Sequence, residues 1–386
     1  MTWVFDFIAL VKRNYTLQHP PVAPKDDDAL RIGTLGAARI TPEALILPAR
    51  SHPGVVVTAV AARNPARARE FAQKHGIPRV FDSYQELLDD PDIDAVYNPL
   101  PNGLHYEWTM KAITAWKHVL LEKPSCNTAD ETRRIFQYAE EKGVLVLEAF
   151  HYRWHPAVHR VREIVQSGEL GAVKRLDGAL TVPSGWFPRD DVRYDWTMGG
   201  GCMMDMGVYP LSFIRWLLDA EPISVISASA IPAHTSTLSA PLDRGTTALL
   251  SFPNDVTASL TCDSATPLPW EIMPKVEMKI ECERGSVYIL NFVQPTAYHY
   301  VTVHRQGKRP TTEKIYSSGP LSQKKFKGED WWTTYRYQLE AFVDKIRGRE
   351  PDYWMSAEDS IKQMEAVEMI YRKSGMGVRP ASTYTL

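Results

Sequence analysis

Short apolar runs alternate with amphipathic stretches between residues 30 and 150. The apolar runs are short and rich in β-branched residues, which is typical of buried strands. Between them, apolar residues recur at the helical period, and one helix is bounded by Asn64 as N-cap, Pro65 at its first position and Gly76 as C-terminal stop. Strands that alternate with helices form a parallel sheet with right-handed crossovers. We therefore expect a doubly wound α/β domain over residues 30–150.

The individual elements follow from this pattern. The predicted strands are LRIGTL, GVVVTAVAAR, AVYNPLP, HVLLEKP and VLVLEAF. The predicted helices are 41–51, 64–76, 83–94, 102–117 and 127–143.

The pattern changes in the second half of the chain. One helix, 156–167, and a helical stretch over 203–219 accompany a series of strands joined by short turns. Such a series predicts a mostly antiparallel sheet. Two helices, 331–348 and 356–375, close the chain. We expect an α+β domain over 151–386 with a large open sheet, for substrate binding and oligomerisation. Its strands are predicted at 173–182, 223–231, 247–252, 256–264, 275–283, 286–292 and 298–305.

Residues 1–29 form an extension before the first strand. The apolar stretch from Trp3 to Val11 includes Asp6 and is too short to cross a bilayer. We expect a short amphipathic helix there, followed by a flexible or polyproline-like segment over 18–28. No cleavage site of a signal peptide follows the stretch, so we predict no membrane role.

Composition narrows the classes of function. The 386 residues carry a net charge of −2, and 44% of them are hydrophobic, which is ordinary for a globular protein. This charge balance argues against a nucleic-acid partner. The four cysteines form no CxxC pair and no zinc-type cluster, so we expect reduced thiols in a cytoplasmic protein without a metal.

The turn after the first predicted strand is built from small residues. The dinucleotide fingerprint G-x-G-x-x-G/A has only its first glycine here, at Gly36, while Ala38 and Thr41 fill the other two places. Backbone amides at a helix start can hold a pyrophosphate. We therefore expect Gly36, Ala37, Ala38, Arg39 and Ile40 to contact a dinucleotide; the alternative is an ordinary strand-to-helix turn.

The second predicted strand ends without a carboxylate. NAD-selective domains usually carry Asp or Glu at this place, whereas this chain has Arg63, with Arg67 nearby. An arginine can clamp a 2′-phosphate or stack on adenine. This favours NADP over NAD, and the alternative is a solvated arginine at a helix start.

Two further segments carry candidate chemistry. Lys123 lies between a predicted strand end and Pro124, at the edge of the sheet where α/β proteins bind ligands. In GGGCMMDMGVYP, Asp205 and Tyr209 are four residues apart and share one face if the segment is helical, although Pro210 makes a continuous helix uncertain. Taken alone, a surface lysine and a packing tyrosine are the more common readings.

Several blocks in order resemble one known family. Gly33 to Thr41, LPNGLHYEWTMKAI, EKP, EAFHYRWHP and GGGCMMDMGVYP together are similar to the NAD(P)-dependent glucose–fructose oxidoreductase / inositol dehydrogenase (Gfo/Idh/MocA) family over residues 30–380. The resemblance is strongest to the branch of the dimeric dihydrodiol dehydrogenases and fungal NADP-dependent D-xylose 1-dehydrogenases. It implies a Rossmann domain followed by a substrate domain.

The resemblance also implies roles for particular residues. Lys123 matches the catalytic lysine, Tyr209 matches a catalytic tyrosine that other branches replace by histidine, and Asp205 matches the acidic residue before it. Ala38 and Thr41 depart from the general fingerprint, and the extension before Leu30 has no counterpart in most members. Further positions match the surroundings of the cofactor, namely Pro99, Leu100, Asn102, His105, Glu122 and Arg153.

These roles form a coherent reaction. Oxidising an alcohol removes a hydride from carbon and a proton from oxygen, and a lysine close to Tyr209 is expected to lower the tyrosine pKa so that the two act as an acid–base pair. The favoured reaction is oxidation of an aldose, D-xylose first, to its lactone with NADP. The alternatives are oxidation of a trans-dihydrodiol, carbonyl reduction by NADPH in specialised biosynthesis, and a non-catalytic NADP-binding redox regulator.

The surroundings of the site can also be anticipated. An aromatic and basic segment is a candidate substrate rim, and a stacked loop beside the sheet is an equal alternative. The open face of the large sheet, if too apolar for water, favours a homodimer. The rim residues are Trp186, Phe187, Arg189, Arg193, Tyr194 and Trp196.

Overall fold

The computed structural model describes residues 2–316 and 327–386, and for residues 2–7 it describes the backbone alone. The first domain holds a six-stranded sheet in the order β3-β2-β1-β4-β5-β6, and every neighbouring pair is parallel. This is the doubly wound order of a Rossmann fold, as the alternating pattern predicted. Its strands are β1 Leu30–Leu35, β2 Val55–Ala61, β3 Arg79–Phe81, β4 Ala95–Asn98, β5 His118–Leu121 and β6 Val146–Glu148.

Ten α-helices are present in the described part of the chain, five of them between strands of the first sheet. Their ends carry the caps that the sequence indicated: the Asn64 side chain accepts from the amides of Ala66 and Arg67, and Gly76 has a positive φ of 70°. The helices are α1 Thr2–Gln18, α2 Leu47–Arg50, α3 Pro65–His75, α4 Tyr84–Asp89, α5 His105–Thr114, α6 Ala129–Lys142, α7 Pro156–Gln166, α8 Val208–Leu218, α9 Thr334–Ile346 and α10 Ala357–Ser374.

The second domain is built on an eight-stranded sheet in the order β14-β13-β12-β11-β7-β10-β9-β8. Only β7 and β10 pair in parallel; the other neighbours are antiparallel. The fold class predicted from the sequence is therefore confirmed. The strands are β7 Val173–Pro183, β8 Ser224–Pro232, β9 Asp243–Ser251, β10 Thr257–Thr266, β11 Lys275–Cys282, β12 Gly285–Leu290, β13 Tyr300–Arg305 and β14 Thr311–Glu313.

Helix α8 packs on the inner face of this sheet. Gly178 on β7 makes the approach possible, because a Cβ there would lie 2.9 Å from the Cβ of Pro210. The helix is preceded by a π-helical turn, Met203–Gly207, which lets the chain stay helical although Pro210 lacks an amide proton. The stretch is thus helical, with a change of winding that the sequence did not predict.

The outer face of the eight-stranded sheet is polar. It carries ion pairs between neighbouring side chains, such as Arg175 with Asp177 and Lys279 with Glu281, and Ser259 donates to Asp177. The condition under which this face would favour a dimer, a surface too apolar for water, is therefore not met, because alternate positions on these strands bear charges and hydroxyls. The homodimer inferred from it stays a prediction.

Other elements also differ from the sequence prediction, and the helix predicted over 41–51 is a π-helix, Pro42–Ile46, followed by α2. Helix α1 continues to Gln18, beyond the apolar stretch that predicted it. Strands β3 and β14 were not anticipated, because each has three residues, too few to show an alternating pattern. Among the described helices, none is both long and apolar enough to cross a lipid bilayer.

The N-terminal extension lies against both domains. The buried Arg13 of α1 donates to the carbonyl of Thr296 at 3.0 Å, and its guanidinium lies 3.4 Å from the ring centre of Tyr316. Further along, the ammonium of Lys25 donates to the carbonyls of Ala49 and His52 in the first domain, at 2.6 and 2.9 Å. We call residues 13–25 the strap.

Arg153 lies in the interior of the second domain. Its guanidinium has no solvent exposure and donates to Ser212, to the hydroxyl of Tyr353 and to Asp359, the last at 2.8 Å. Asp359 also accepts from Arg215 at 3.0 Å. This buried network ties the 3₁₀ turn His151–Trp154 to α8 and α10.

We expect Arg153→Met to lower the free energy of unfolding by about 3 kcal/mol, because it leaves Asp359 buried with one partner fewer. Arg175→Met, which removes an exposed pair, should cost less than about 1 kcal/mol. Urea unfolding followed by circular dichroism measures both. If Arg153→Met is as stable as the wild type but binds the cofactor more weakly, Arg153 contacts the cofactor, as the family resemblance implied.

Candidate active site

Lys123 lies at the carboxyl edge of the parallel sheet, two residues after β5. Before it, Glu122 is partly buried; its side chain accepts from the hydroxyl of Tyr97 at 2.7 Å and from the backbone amide of Lys123 at 3.3 Å. Burial raises the pKa of Glu122. Glu122 therefore fixes the backbone of Lys123, whose side chain is directed to the second domain.

A carboxylate of the second domain holds the Lys123 ammonium. Lys123 Nζ donates to the backbone oxygen of Asp205 at 2.8 Å and to its Oδ1 at 2.9 Å, while Arg193 Nε donates to Oδ2 at 2.6 Å. Although burial by itself raises the pKa of Asp205, Lys123 and Arg193 together lower it well below its usual range. Asp205 is therefore a fixed anion between two cations.

The charge alternation extends to the turn after β1. Arg193 also donates to Asp191 at 2.9 Å, and Asp191 accepts from Arg39 at 2.7 Å. Arg39 belongs to the small-residue turn of the first domain, and Asp191 to the aromatic loop of the second. Five side chains of alternating charge thus connect the two domains across the cleft.

The three glycines before the π-helical turn place Asp205. Gly201 has a φ of +121°, and a Cβ there would collide with Arg379 and Asp243. Those two residues form a fully buried ion pair in which Arg379 donates to the Gly200 carbonyl and Asp243 accepts from the Met203 amide. The C-terminal segment of the chain therefore anchors the start of the turn that carries Asp205.

Tyr209 lies beside Lys123 but is not hydrogen-bonded to it. The Lys123 ammonium is 5.2 Å from the centre of the Tyr209 ring, and the Tyr209 hydroxyl lies 3.2 Å from Nε2 of His151. Burial, followed by the nearby Tyr335, Glu122 and Asp205, raises the pKa of Tyr209 well above its usual value. The expected lowering by Lys123 is absent from this arrangement, since Asp205 neutralises the lysine and burial dominates.

The turn after β1 is suited to a pyrophosphate. Gly36 has a φ of +99°, which a side chain would disfavour, and the Thr41 hydroxyl is buried without a hydrogen-bond partner. In the part of the chain that the structure describes, four consecutive amides find no protein acceptor. They belong to Ala37, Ala38, Arg39 and Ile40.

Two arginines follow β2. The side chains of Arg63 and Arg67 are exposed, and in the described ranges neither has a carboxylate partner. The backbone amide of Arg63 donates to the Tyr84 hydroxyl at 3.3 Å. These two guanidinium groups are available to an anion at this strand end, where the sequence placed a 2′-phosphate.

The loop after β4 approaches the second domain. Pro99 and Leu100 are buried, Leu100 lies against Gly36, and Asn102 donates to the Gly199 carbonyl at 3.0 Å. His105 is fully buried, and its ring nitrogens lie 2.8 and 2.7 Å from the carbonyls of Pro124 and Leu100. His105 thus joins two loops of the site without facing the cleft.

Of the remaining residues predicted from the sequence, some lie in the aromatic loop and others are buried elsewhere. Arg153 is not brought to the cleft, because its guanidinium is consumed in the interior network described above. In the aromatic loop, Trp186 is 53% exposed, Tyr194 bonds to Ser264, and the Arg193 guanidinium lies 4.3 Å from the Phe187 ring centre. Trp196 is turned inward against Arg379, at 4.8 Å.

Two site residues were missed by sequence reasoning. Asp191 lies in an acidic and aromatic loop whose side-chain directions no periodicity reveals. His151 lies inside the HYRWHP block, but nothing in the sequence joins it to Tyr209, 58 residues away. Over residues 2–316 and 327–386, no group of three or more His, Cys, Asp or Glu could hold a metal ion.

Comparison with known proteins identifies the family. The model of the oxidoreductase family with an NAD-binding Rossmann fold matches residues 30–150, and that of the GFO/IDH/MocA C-terminal domain matches residues 158–288. The chain belongs to the GFO/IDH/MocA oxidoreductase family, as its motifs predicted.

Several members are similar along most of the chain. D-xylose 1-dehydrogenase (NADP(+)) 2 of Haloferax volcanii is 33% identical, over 90% of this chain and 98% of its own. Trans-1,2-dihydrobenzene-1,2-diol dehydrogenase of Mus musculus is 33% identical over 62% of this chain and 70% of its own. The crystal structure of KijD10, a 3-ketoreductase from Actinomadura kijaniata in complex with NADP and TDP-benzene, superposes with a TM-score of 0.75 at 26% identity, covering 89% of this chain and 98% of that one.

We expect Arg63→Ala to weaken binding of NADP at least tenfold and to change NAD binding less than threefold, because only NADP offers a phosphate for a charge-assisted contact. Titration of each cofactor against protein fluorescence measures both constants. Arg69→Ala, six residues further along the chain and paired with Asp82, is the matched control. Equal losses for the two cofactors would place Arg63 away from the 2′-phosphate.

Proposed function

We propose that this protein is an NADP-dependent oxidoreductase that interconverts a hydroxyl and a carbonyl group on a sugar. The observation that carries the proposal is the meeting of Lys123, Asp205 and Tyr209 at the carboxyl edge of a Rossmann sheet. A protein that only sensed a dinucleotide would have no need of an acid beside a fixed lysine. The sequence prediction of a cytoplasmic location is retained as part of this proposal.

The cofactor is held by the first domain. The amides of residues 37–40 bind the pyrophosphate, and Arg63 and Arg67 bind the 2′-phosphate. Pro99, Leu100 and Asn102 form the loop against which the nicotinamide end lies. The nicotinamide accepts or supplies the hydride when it is bound.

The proton is handled by Tyr209. Because burial keeps this phenol protonated, Tyr209 donates to the carbonyl oxygen in reduction and accepts from the hydroxyl, as phenolate, in oxidation. Lys123, oriented by Asp205 and Glu122, retains one ammonium N–H beyond the two donated to Asp205, and this donor serves the oxygen that becomes negative. Asp205 itself takes no proton, because its two cations keep it ionised.

The charges of the cleft favour an uncharged reacting group. Lys123, Arg193 and Arg39 are already ion-paired with Asp205 and Asp191, so these cations attract a phosphate on the substrate only weakly. A free aldose fits this balance, and D-xylose oxidised at C1 to its lactone is the first candidate. This agrees with the name of the Haloferax relative.

Two other substrates have an observation in their favour. The exposed Trp186 and Tyr194 of the same loop offer faces on which a flat ring could stack, as expected for an aromatic dihydrodiol or for the base of a nucleotide-linked ketosugar. The diol agrees with the mouse relative, and carbonyl reduction agrees with KijD10. Both would use the same Lys123 and Tyr209.

We expect the wild type to form NADPH with D-xylose and more slowly with D-glucose or a trans-dihydrodiol. Lys123→Met and Tyr209→Phe should lower the turnover number at least about 100-fold, as loss of acid–base catalysis does. Lys279→Met and Tyr288→Phe, on the outer sheet face, are matched controls that should retain full turnover. Turnover of the diol with neither sugar would overturn the sugar assignment, and equal rates in all variants would overturn the roles of Lys123 and Tyr209.

The raised pKa of Tyr209 predicts different pH profiles for the two directions of the reaction. Reduction needs the phenol, so its turnover number should stay nearly constant between pH 6 and about 8.5. Oxidation needs the phenolate, whose fraction rises tenfold per pH unit below the pKa, so oxidation should speed up over the same range. Initial rates in both directions test this, and residual oxidation by Tyr209→Phe should lack the slope. An oxidation rate that is flat with pH would show that Tyr209 is already ionised.

A further inference from the structure

Tyr209 has a hydroxyl partner that the acid–base pair does not include. Its ring lies among those of Phe150, His151 and Tyr152, and its hydroxyl makes one hydrogen bond within the described residues, to Nε2 of His151 at 3.2 Å. The His151 side chain is only 1% exposed and lies against the Tyr335 ring, with 4.0 Å between ring centres. His151 is therefore held in place beside the candidate acid, between the rings of Tyr209 and Tyr335.

The other ring nitrogen of His151 is also engaged. Nδ1 lies 2.7 Å from the hydroxyl oxygen of Thr334, the first residue of α9. Thr334 is 1% exposed, and over the described ranges its hydroxyl has no other hydrogen bond. Tyr209, His151 and Thr334 therefore form a row of three polar groups joined by two hydrogen bonds.

Counting protons along this row selects one tautomer. Neutral imidazole carries one N–H, so the row holds three donor protons for two hydrogen bonds, and one proton remains over. If Nδ1 carried the proton, it would donate to Thr334, and the unused donor would be the buried Thr334 hydroxyl, which has no other acceptor among the described residues. If Nε2 carries it, Thr334 donates to Nδ1, Nε2 donates to Tyr209, and the unused proton is that of Tyr209. Since buried donors are rarely left unpaired, the second arrangement is favoured.

We propose that His151 is a positioning residue of the reaction: held as the Nε2–H tautomer by Thr334, it donates to the Tyr209 oxygen, turns the Tyr209 proton toward the cleft, and stabilises the phenolate that remains after proton transfer. This inference rests on the proposed function. It adds a direct donor to the phenolate oxygen, which Lys123 does not supply in this arrangement, because its ammonium lies 5.2 Å from the ring centre and donates to Asp205.

Burial and the charges around the row keep the His151 ring neutral, so it donates a hydrogen bond and does not take up the transferred proton. Burial and the Lys123 ammonium lower the pKa of His151 to about 3, so the ring is neutral throughout the working pH range. The titratable groups that face Tyr209 from the other packed elements are Lys123, Glu122, Asp205, Tyr152 and Tyr335. Of these groups only Lys123 is a cation, and its charge is balanced by Asp205. The His151 N–H is therefore the contact that stabilises the phenolate, and replacing His151 tests it.

The tautomer can be measured without turnover. Long-range proton–nitrogen NMR of protein labelled with ¹⁵N-histidine distinguishes a protonated from a bare ring nitrogen, and the His151 signals are those that vanish in His151→Gln. We expect Nε2 protonated and Nδ1 bare at neutral pH. A protonated Nδ1 with a bare Nε2 would overturn the proposal, because Tyr209 would then have to donate to His151.

The effect on Tyr209 can be measured with substituted protein. In His151→Leu, ¹³C NMR of ring-labelled tyrosine should show the Tyr209 pKa raised by about one unit or more, as expected for loss of a hydrogen bond to a charged oxygen. His151→Gln, whose side-chain amide keeps an N–H near the Nε2 position, should restore most of it. His304→Gln, on the outer sheet face, is the matched control, and Tyr209→Phe assigns the signal. An unchanged Tyr209 pKa in His151→Leu contradicts the proposal, and if that variant does not fold, the tautomer and the glutamine variant decide.

Kinetics then separate positioning from mere packing. We expect His151→Leu to lower the turnover number of the reductive direction about tenfold or more while the KM for substrate changes less than threefold, because His151 does not touch the substrate. His151→Gln should recover to within about threefold of wild type. Equal losses in both variants would indicate a packing role. If the wild type turns over no sugar, diol or ketone, the proposed function fails, while the NMR measurements still decide the role of His151.

Discussion

The ion pair between Lys123 and Asp205 joins a strand end of the first domain to a helix start of the second. Both side chains are largely buried, so each charge depends on the other for its solvation, and Arg193 completes the set at 2.6 Å from Asp205. Glu122 fixes the backbone of the lysine by accepting from its amide. The buried Arg379–Asp243 pair fixes the glycine segment that leads to Asp205. Much of the surrounding structure can be understood as holding these two charges at this distance.

The same ion pair determines the electrostatics around Tyr209. A free ammonium near a phenol would favour the phenolate, but Lys123 is compensated by a carboxylate that also lies near the tyrosine. The phenol is therefore kept protonated by its apolar and aromatic surroundings. An acid that does not ionise on its own suits a reaction in which the proton leaves only when a negative oxygen forms beside it.

Much of this arrangement could be predicted from sequence, for physical reasons that differ from residue to residue. Lys123 and Gly36 lie at strand ends, and the alternating pattern fixes where strands end and which edge of the sheet they share. Asp205 and Tyr209 came from a motif, since their segment mixes π and α winding that no simple period describes. Arg153 and His105 have the residue types of a site, but their burial depends on tertiary neighbours such as Asp359 and the Pro124 carbonyl.

The strap has a mechanical consequence for the cleft. It is fixed to the second domain at Arg13 and to the first at Lys25, and the segment between α1 and Lys25 contains three prolines, at 20, 21 and 24. Such a segment is stiff and cannot exceed about 3.3–3.6 Å per residue. The two domains can therefore move apart only until this tether is taut, which limits how widely the dinucleotide edge and the sheet can separate while a cofactor or product exchanges. Separation of the two domains is thus limited by a segment that touches neither the cofactor turn nor the reacting side chains.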